Sequence, residues 1–422
     1  MAARKRGVRR AAIRVLKLLA RPVRRAQGRG GLVLEPYRGY GSRDEIFLIG
    51  RVFRQSHPDR AAGDDSLRAA LRDTARRIAR RTLPGARVTA RFGGAEVQVE
   101  TDADGYFRIT LHPVALPAGE AGWHAVDLVL EAEPPVRARG QVFIPPAARG
   151  CVVVSDIDDT VMRTGVANKL RMLWRLFVED AETRVAFPGV AALYRALYAG
   201  PDGTQANPML YVSRAPWGLY EMLSEFFTIH GIPVGPVLFL REWGLSWRSP
   251  LPRRAEDHKR ALIAHMLALY HDRPFVLIGD SGQHDPEVYG RIVAENPGRV
   301  SAVYIRNVSR EAARIAEIER LAETVAAAGS RLVIAADSAA IAAHAAALGL
   351  IAPEAVAAVA AENAADGTPR RADATVAAPE DLGAVLASGG GTIPPSVVID
   401  ADRGGGTREA AHHARDRNSS GT

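Results

Sequence analysis

Two patterns of hydrophobic and polar residues divide the chain. In residues 31–148, apolar and polar residues alternate within three segments, 44–55, 86–113 and 123–146, which Gly, Pro and Asp turn signals separate. Alternation of this kind predicts half-buried strands, and we expect a small antiparallel β-sandwich domain. The intervening segment 66–83 has helical spacing, which predicts an inserted helix.

The string VQVETDADGYFRI, residues 97–109, predicts a β-hairpin within this region. An Asp-Gly pair between two alternating runs is a strong sequence signal for a tight hairpin turn. No catalytic motif stands out between residues 31 and 148, so we expect an accessory or adaptor domain there.

From Cys151 onwards, short apolar runs alternate with helical stretches. Unalternating β-branched runs predict strands that are buried on both faces, and thus an α/β domain, residues 149–352, with a parallel sheet and helices on both faces. The Ala-, Gly- and Asp-rich segment 353–422 cannot bury much apolar surface and is predicted to be largely disordered. The six predicted strands are residues 151–156, 209–214, 237–242, 274–280, 300–307 and 331–337.

Three of these runs reach a polar residue that could carry chemistry: Asp156, Ser213 and Asp280. Ligands of parallel α/β sheets bind beyond the carboxyl ends of the strands, so we expect the three side chains to meet at one edge. The first strand continues as Asp-Ile-Asp-Asp-Thr, which adds Asp158, and Asp285 follows Asp280 on the next loop.

Carboxylates that lie this close together repel one another unless a cation binds between them. Oxygen ligands with few neighbouring thiols or imidazoles favour Mg²⁺ over zinc. The predicted ligands are Asp156, Asp158, Asp280 and Asp285. Because Mg²⁺ usually shares its ligand shell with a substrate phosphate, the cluster indicates phosphoryl transfer.

Phosphoryl transfer needs a nucleophile, a proton donor and groups that stabilise the phosphoryl charge. Asp156 is the candidate nucleophile, and Asp158 is the candidate acid and base. Each candidate alone has an ordinary explanation, as a turn residue, a helix cap or a solvated charge, and their joint occurrence favours a site. The candidate donors and cations for the phosphate are Thr160, Ser213, Arg214 and Lys259. His284 is either a second proton-transfer group or a loop residue.

The strings DIDDT, VSR, HKR and GDSGQHD, in this order, resemble the four motifs of the haloacid-dehalogenase (HAD) superfamily. Longer strings, among them YVSRAPWGLYEMLSEFFTIHGIP and LIGDSGQHDPEVYGRI, resemble the catalytic domain of the phosphatidate phosphatases typified by the fungal enzyme of cortical actin patches. The resemblance covers roughly residues 150–310 and implies a HAD-like (Rossmannoid) sheet and a phosphoric monoester hydrolase.

The resemblance also implies roles for individual residues. Asp156 would be the nucleophile and Asp158 the acid and base, while Ser213 and Lys259 would stabilise the phosphate and the aspartyl phosphate. Asp280 would bind Mg²⁺ with support from Asp285. The spacing between these two residues is one longer than in the commonest form of the motif, which makes Asp285 the weakest assignment.

The net charge of +8 on the 422 residues is concentrated at the N-terminus. Residues 1–30 hold eleven Lys and Arg and no Asp or Glu, so the remainder carries a net charge of −3. Residues 8–25 have the basic amphipathic pattern of a helix that lies on an anionic membrane surface. A solvated arm, a helix packed on its own protein, contact with nucleic acid and a targeting peptide remain alternatives. Because the body is nearly neutral, we expect no nucleic-acid partner.

We therefore predict an enzyme that hydrolyses phosphatidate to diacylglycerol and phosphate through an aspartyl-phosphate intermediate. The short segments 161–208 and 215–258 leave little sequence for a cap domain, and an open site suits a large or surface-bound substrate. The alternatives are a HAD phosphatase for protein or polynucleotide phosphomonoesters and a non-catalytic membrane-associated scaffold. With one cysteine and no long apolar run, we expect a cytoplasmic protein that binds peripherally to the inner face of the membrane.

Overall fold

The computed structural model describes residues 28–55, 81–116, 122–146, 150–157, 188–213, 220–239, 255–309 and 311–367. Within these ranges the protein is a mixed α/β structure with one mainly antiparallel sheet and one parallel sheet. The predicted basic helix at residues 8–25 lies outside the described residues. So does most of the predicted inserted helix, and the end of that segment, Arg81–Thr82, is a short strand.

Nine strands of the described residues form the first sheet. They are β1 (Leu32–Pro36), β2 (Arg38–Gly41), β3 (Ile46–Arg54), β4 (Arg81–Thr82), β5 (Arg87–Phe92), β6 (Ala95–Glu100), β7 (Tyr106–Leu111), β8 (Gly122–Leu130) and β9 (Val136–Ile144). The order is β1-β3-β2-β9-β8-β5-β6, and β4 and β7 also pair with β3. All pairs are antiparallel except β2 with β9. The strands thus form one hydrogen-bonded network, and a division into two face-to-face sheets stays a prediction.

The predicted hairpin at residues 97–109 is wrong in its pairing. Its turn exists, because Asp102 Oδ1 accepts hydrogen bonds from Asp104 N at 3.0 Å and Tyr106 N at 2.9 Å. However, β6 pairs with β5, and β7 pairs with β3. The apolar residues of β7 are buried beside the almost fully buried β3, whereas β6 has a half-exposed pattern. Burial therefore decides the pairing over the local turn signal.

In the part of the chain that the structure describes, the second sheet has six parallel strands in the order β12-β11-β10-β13-β14-β15. They are β10 (Val152–Asp156), β11 (Met209–Ser213), β12 (Val237–Phe239), β13 (Phe275–Asp280), β14 (Val300–Arg306) and β15 (Leu332–Ala335). Each lies within one of the six predicted runs, and almost all of their residues are buried. The predicted parallel sheet is confirmed.

Seven helices accompany this sheet in the described residues: α1 (Val190–Ala199), α2 (Tyr220–Ile229), α3 (Ala255–Leu269), α4 (Asp285–Glu295), α5 (Ala312–Ala327), α6 (Ser338–Ala347) and α7 (Ala355–Gly367). One group packs α1, α6 and α7 together, and in a second group α4 packs against both α3 and α5. Ser155 contacts α1 whereas its neighbour Asp156 contacts α3. Because successive strand residues point to opposite faces, the two groups flank the sheet on opposite sides.

Helix α7 lies beyond the predicted domain boundary at residue 352. Its Glu362 accepts a hydrogen bond from Ala192 N at 2.8 Å and pairs with Arg195 at 2.6 Å, both on α1. The alanine-rich sequence, first interpreted as too weakly apolar to fold, suits a helix because alanine has the highest helix propensity. Residues 368–422 lie outside the described residues.

The two sheets share part of their hydrophobic core. Tyr37, Tyr40 and Phe47 of the antiparallel sheet region are buried in the same cluster as the strands of the parallel sheet. Arg38 N donates a hydrogen bond to the Tyr220 hydroxyl on α2 at 2.9 Å. The remainder of the antiparallel sheet has a core of its own. The first sheet therefore packs against the α/β part of the protein and contacts α2.

Candidate active site

The carboxyl edge of the parallel sheet brings together polar residues from neighbouring strands. β10 ends at Asp156, β11 at Ser213 and β13 at Asp280, and β10 lies between the other two. Ser213 follows Val212, the register partner of Asp156. The buried apolar strands thus place three polar residues side by side at the edge where parallel sheets bind ligands.

Lys259, on α3, bridges two of the carboxylates. Its Nζ lies 3.0 Å from Asp156 Oδ1 and 2.5 Å from Asp285 Oδ1. The three side chains are at most 2% exposed. Nζ also lies 5.4 Å from the centre of the Tyr289 ring on α4, which adds a cation–π contact. A buried charge is tolerated when it is paired in this way.

The two carboxylates beside Lys259 keep its side chain charged. Burial lowers its pKa, but the carboxylates of Asp156 and Asp285 raise it more, and the net pKa lies well above the usual value for lysine. For the Tyr289 phenol, burial acts in the opposite direction and raises the pKa well above its usual value. The ammonium therefore stabilises negative charge on Asp156, and the phenol beside it stays neutral.

Residues 280–285 form a tight loop, here called the acidic loop, with a carboxylate at each end. Asp280 Oδ1 accepts hydrogen bonds from Gly282 N at 2.8 Å and Gln283 N at 3.0 Å. Asp285 Oδ2 accepts one from Asp280 N at 3.3 Å. A Cβ on Gly279 would collide with the Asp285 carboxylate and lie 2.7 Å from its Cβ, so only glycine lets Asp285 approach the strand.

The carboxylates of this site suit a divalent cation. Oxygens of Asp156, Asp280 and Asp285 all lie within 4.8 Å of one another. Lys259 offsets one of the three negative charges, which leaves these four groups with an excess of negative charge. The donors are all carboxylate oxygens, the ligands that hard divalent ions prefer. Asp285 binds Lys259 Nζ with one carboxylate oxygen and Asp280 N with the other.

Sequence reasoning missed a polar network on the opposite face of the sheet. Arg306, the last residue of β14, donates from Nη2 to the Tyr194 hydroxyl at 2.9 Å. That hydroxyl shares a hydrogen bond of 2.6 Å with Ser155 Oγ, which also donates to the Asp156 carbonyl at 3.2 Å. All three side chains belong to buried residues. The network holds the backbone of β10 where Asp156 begins the site.

The structure describes only some of the other predicted site residues. Asp158, Thr160 and Arg214 lie outside the described residues. His284 immediately precedes α4, its side chain is 64% exposed, and its Nε2 lies 3.8 Å from Glu256 Oε1. This position agrees with the interpretation of His284 as a loop residue.

The segment that contains this cluster matches a family of phosphatase catalytic domains. The family model that matches residues 151–307 is described as "Phosphatidate phosphatase APP1, catalytic domain". Residues 151–307 of this chain are therefore similar in sequence to that family of catalytic domains. Asp156, Ser213, Lys259, Asp280 and Asp285 all lie inside it.

Two curated fungal proteins are similar in sequence to part of this chain. The phosphatidate phosphatase APP1 of Saccharomyces cerevisiae is 32% identical over 158 residues, which are 37% of this chain and 26% of that protein. The uncharacterized protein C29B5.04c of Schizosaccharomyces pombe is 29% identical over 218 residues, 51% of this chain and 35% of that protein. This chain thus spans about a quarter to a third of the length of these relatives.

Among solved structures, the carbohydrate acetylesterase XAC1771 of Xanthomonas citri is 13% identical and covers 70% of this chain, and the alignment spans 66% of that chain. The TM-score is 0.25. A similarity at this level carries no argument about fold or function.

Proposed function

We propose that the α/β region, from residue 149 through α7, is a HAD-like phosphatase domain that hydrolyses phosphatidate to diacylglycerol and phosphate. One observation carries the proposal: the buried contact of 3.0 Å between Lys259 Nζ and Asp156 Oδ1, at the end of a central strand. It lies within the segment that matches the phosphatidate phosphatase catalytic domain. The yeast relative of that name supports the choice of substrate.

In the proposed reaction, Asp156 is the nucleophile. Its carboxylate oxygen attacks the phosphorus of phosphatidate, the bond from phosphorus to the glycerol oxygen breaks, and Asp158 donates a proton to that oxygen. Asp158 then takes a proton from water as the water oxygen attacks the aspartyl phosphate. The bond from phosphorus to Asp156 breaks, which releases phosphate and restores the enzyme.

Cations and hydrogen-bond donors would stabilise the phosphoryl charge during both steps. Lys259 neutralises charge on the nucleophile, and Ser213 and Thr160 would donate hydrogen bonds to phosphate oxygens, with Arg214 as a further cation. A Mg²⁺ ion held by Asp156, Asp158 and Asp280 would supply further neutralisation of phosphate charge when bound. Asp285 would support the ion by orienting Lys259 and the acidic loop.

The proposal includes contact with a membrane surface, because phosphatidate is a lipid. Within the described part of the chain, none of the helices has the length and apolar character that spanning a bilayer requires. Residues 8–25 would instead lie on the anionic inner face of the membrane, where each Lys or Arg contributes about 1 kcal/mol of attraction. This arrangement would make the protein cytoplasmic and peripheral, with anionic phospholipid rather than nucleic acid as its partner.

The experiment is a phosphate-release assay on phosphatidate in mixed micelles, with Mg²⁺ or with EDTA. Wild type is compared with Asp156→Asn, which keeps the shape of the side chain and removes the nucleophile. We expect Mg²⁺-dependent release from wild type and none from the variant.

A soluble aryl phosphate distinguishes the parts of the proposal. Variant-sensitive release from the aryl phosphate without release from phosphatidate would retain the mechanism and contradict the lipid substrate. No release from either substrate would contradict the enzymatic function and favour a scaffold.

A further inference from the structure

Arg314 on α5 directs its guanidinium at the acidic loop. Its Nε donates to the Ser281 carbonyl at 3.0 Å, and its Nη2 donates to the Gln283 carbonyl at 2.7 Å. The side chain is only 17% exposed. Arg314 lies outside the segment that matches the catalytic-domain family, so the comparison assigns it no role.

A second set of contacts fixes the guanidinium itself. Glu287, in the first turn of α4, binds it through both carboxylate oxygens, in the fork geometry that is specific to arginine. The loop is also tied to the chain after β14, because Ser281 Oγ accepts hydrogen bonds from Val308 N and Ser309 N, both at 2.9 Å. The acidic loop is therefore held from two directions, by Arg314 and by the chain after β14.

The position of Arg314 within its own helix does not explain these contacts. It lies in the first turn of α5, where the helix dipole disfavours a positive charge. A cation placed there gains its stability from the two carbonyls, from Glu287, and from Glu317 on the same helix, whose Oε2 lies 3.2 Å from Arg314 Nη1. The two carboxylates hold the guanidinium in place, and from that position it binds both carbonyls of the acidic loop.

We infer that Arg314 is a positioning residue for the metal site: it fixes the loop whose two ends are Asp280 and Asp285. Without the two carbonyl contacts, the loop can relax, and the carboxylate of Asp280 loses its fixed direction toward Asp156. This function rests on the Mg²⁺ site of the proposed phosphatase. Residues that orient metal ligands typically account for about 10–100-fold in metal affinity.

The test measures Mg²⁺ binding to the full chain by calorimetry, independently of catalysis. Arg314→Met is expected to weaken Mg²⁺ affinity about 10–100-fold. Arg314→Lys, which keeps the charge but not the fork, is expected to weaken it as well. The matched control is Arg320→Met, because Arg320 lies on the same helix and is exposed, and its affinity should equal that of wild type.

Two further measurements separate positioning from general damage. Hydrogen exchange of the acidic loop should accelerate in Arg314→Lys while exchange in β10 and β13 stays as in wild type. In the phosphatidate assay at saturating Mg²⁺, the KM of Arg314→Lys for phosphatidate should stay unchanged.

The outcomes distinguish the inference from the proposed function on which it rests. Wild-type Mg²⁺ affinity and loop exchange in folded Arg314→Lys would overturn the positioning role and leave the phosphatase proposal intact. Wild-type protein that binds no Mg²⁺ would overturn the metal site and the role of Arg314 with it. If Arg314→Met fails to fold, the lysine variant alone decides.

Discussion

Charged pairs of side chains are exposed on the antiparallel sheet and buried at the edge of the parallel sheet. On the antiparallel sheet, Arg91 and Glu96 pair across neighbouring strands at 2.5 Å, and both side chains are more than half exposed. At the edge of the parallel sheet, Lys259 pairs with Asp156 and Asp285, and none of these side chains is more than 2% exposed. Water and salt screen the first kind of pair, so it contributes little. The second kind destabilises the protein unless every member is paired.

The difference indicates that the edge of the parallel sheet keeps buried charges that lower stability but can serve a reaction. Exposed pairs suit a soluble surface and need no further explanation. A buried lysine between two carboxylates is rarely more stable than an apolar core of the same volume. Such a cluster, at the sheet edge where ligands bind, is therefore a marker of function that does not depend on any relative.

The largest expected effect comes from Lys259→Met. Removing the ammonium leaves two carboxylates buried without their cation, which should lower the free energy of unfolding by about 3–5 kcal/mol. Phosphatase activity should be lost. Urea unfolding and phosphate release are the measurements, and Lys259→Met combined with Asp285→Asn should recover part of the stability but no activity. An unchanged free energy of unfolding in Lys259→Met would contradict the difference drawn between exposed and buried charged pairs.

Gly279→Ala should cost less stability but still remove most activity. The new Cβ would displace Asp285 from the strand and so disturb both Lys259 and the acidic loop. The matched control is Gly290→Ala on α4, where a Cβ would meet its nearest neighbour, Leu321 Cδ2, at an ordinary 3.6 Å. The control should keep full activity and gain up to about 1 kcal/mol from helix propensity. Equal activities in the two variants would refute the role given to Gly279.

Tyr194→Phe should have a moderate effect. Loss of the hydroxyl leaves Arg306 and Ser155 without a shared partner, which should destabilise the protein by about 1–3 kcal/mol. Tyr198→Phe, one turn further along α1, is the control and should have a smaller effect. Urea unfolding of both variants is the measurement. Equal losses of stability in the two variants would mean that the buried network contributes nothing to the stability of the second sheet.

Arg91→Met should have the smallest effect. Both partners of this pair are exposed, so its removal should leave the urea midpoint within experimental error. A clear destabilisation would show that surface pairs stabilise the antiparallel sheet, and the contrast between the sheets would then fail.

The sequence predicted the parallel sheet well because each strand is a short apolar run that is buried on both faces. The strand ends followed from the same pattern, which is how Asp156 and Asp280 were expected to meet. Arg306 also ends one of these strands, and the rule that singled out the other strand ends could have found it. Tyr194 and Arg314 could not be found, because no spacing rule relates a helix residue to a distant strand end.

The antiparallel sheet was predicted less well because its pairing is not local. The Asp-Gly turn before β7 is real, but β7 pairs with β3, about sixty residues earlier in the chain. A turn signal says nothing about which distant apolar strand offers more burial. Likewise, the composition of α7 does not show that Glu362 would bind the first turn of α1.

We propose above all that Asp156 is the nucleophile of a phosphatase site built around Lys259. The most direct test is an acid quench of the enzyme during turnover of phosphatidate that carries a radiolabelled phosphate, followed by peptide mapping. We expect label on the peptide that contains Asp156, removal of that label by hydroxylamine, and no label in Asp156→Asn. Phosphate release from wild type together with equal labelling of wild type and Asp156→Asn would contradict it.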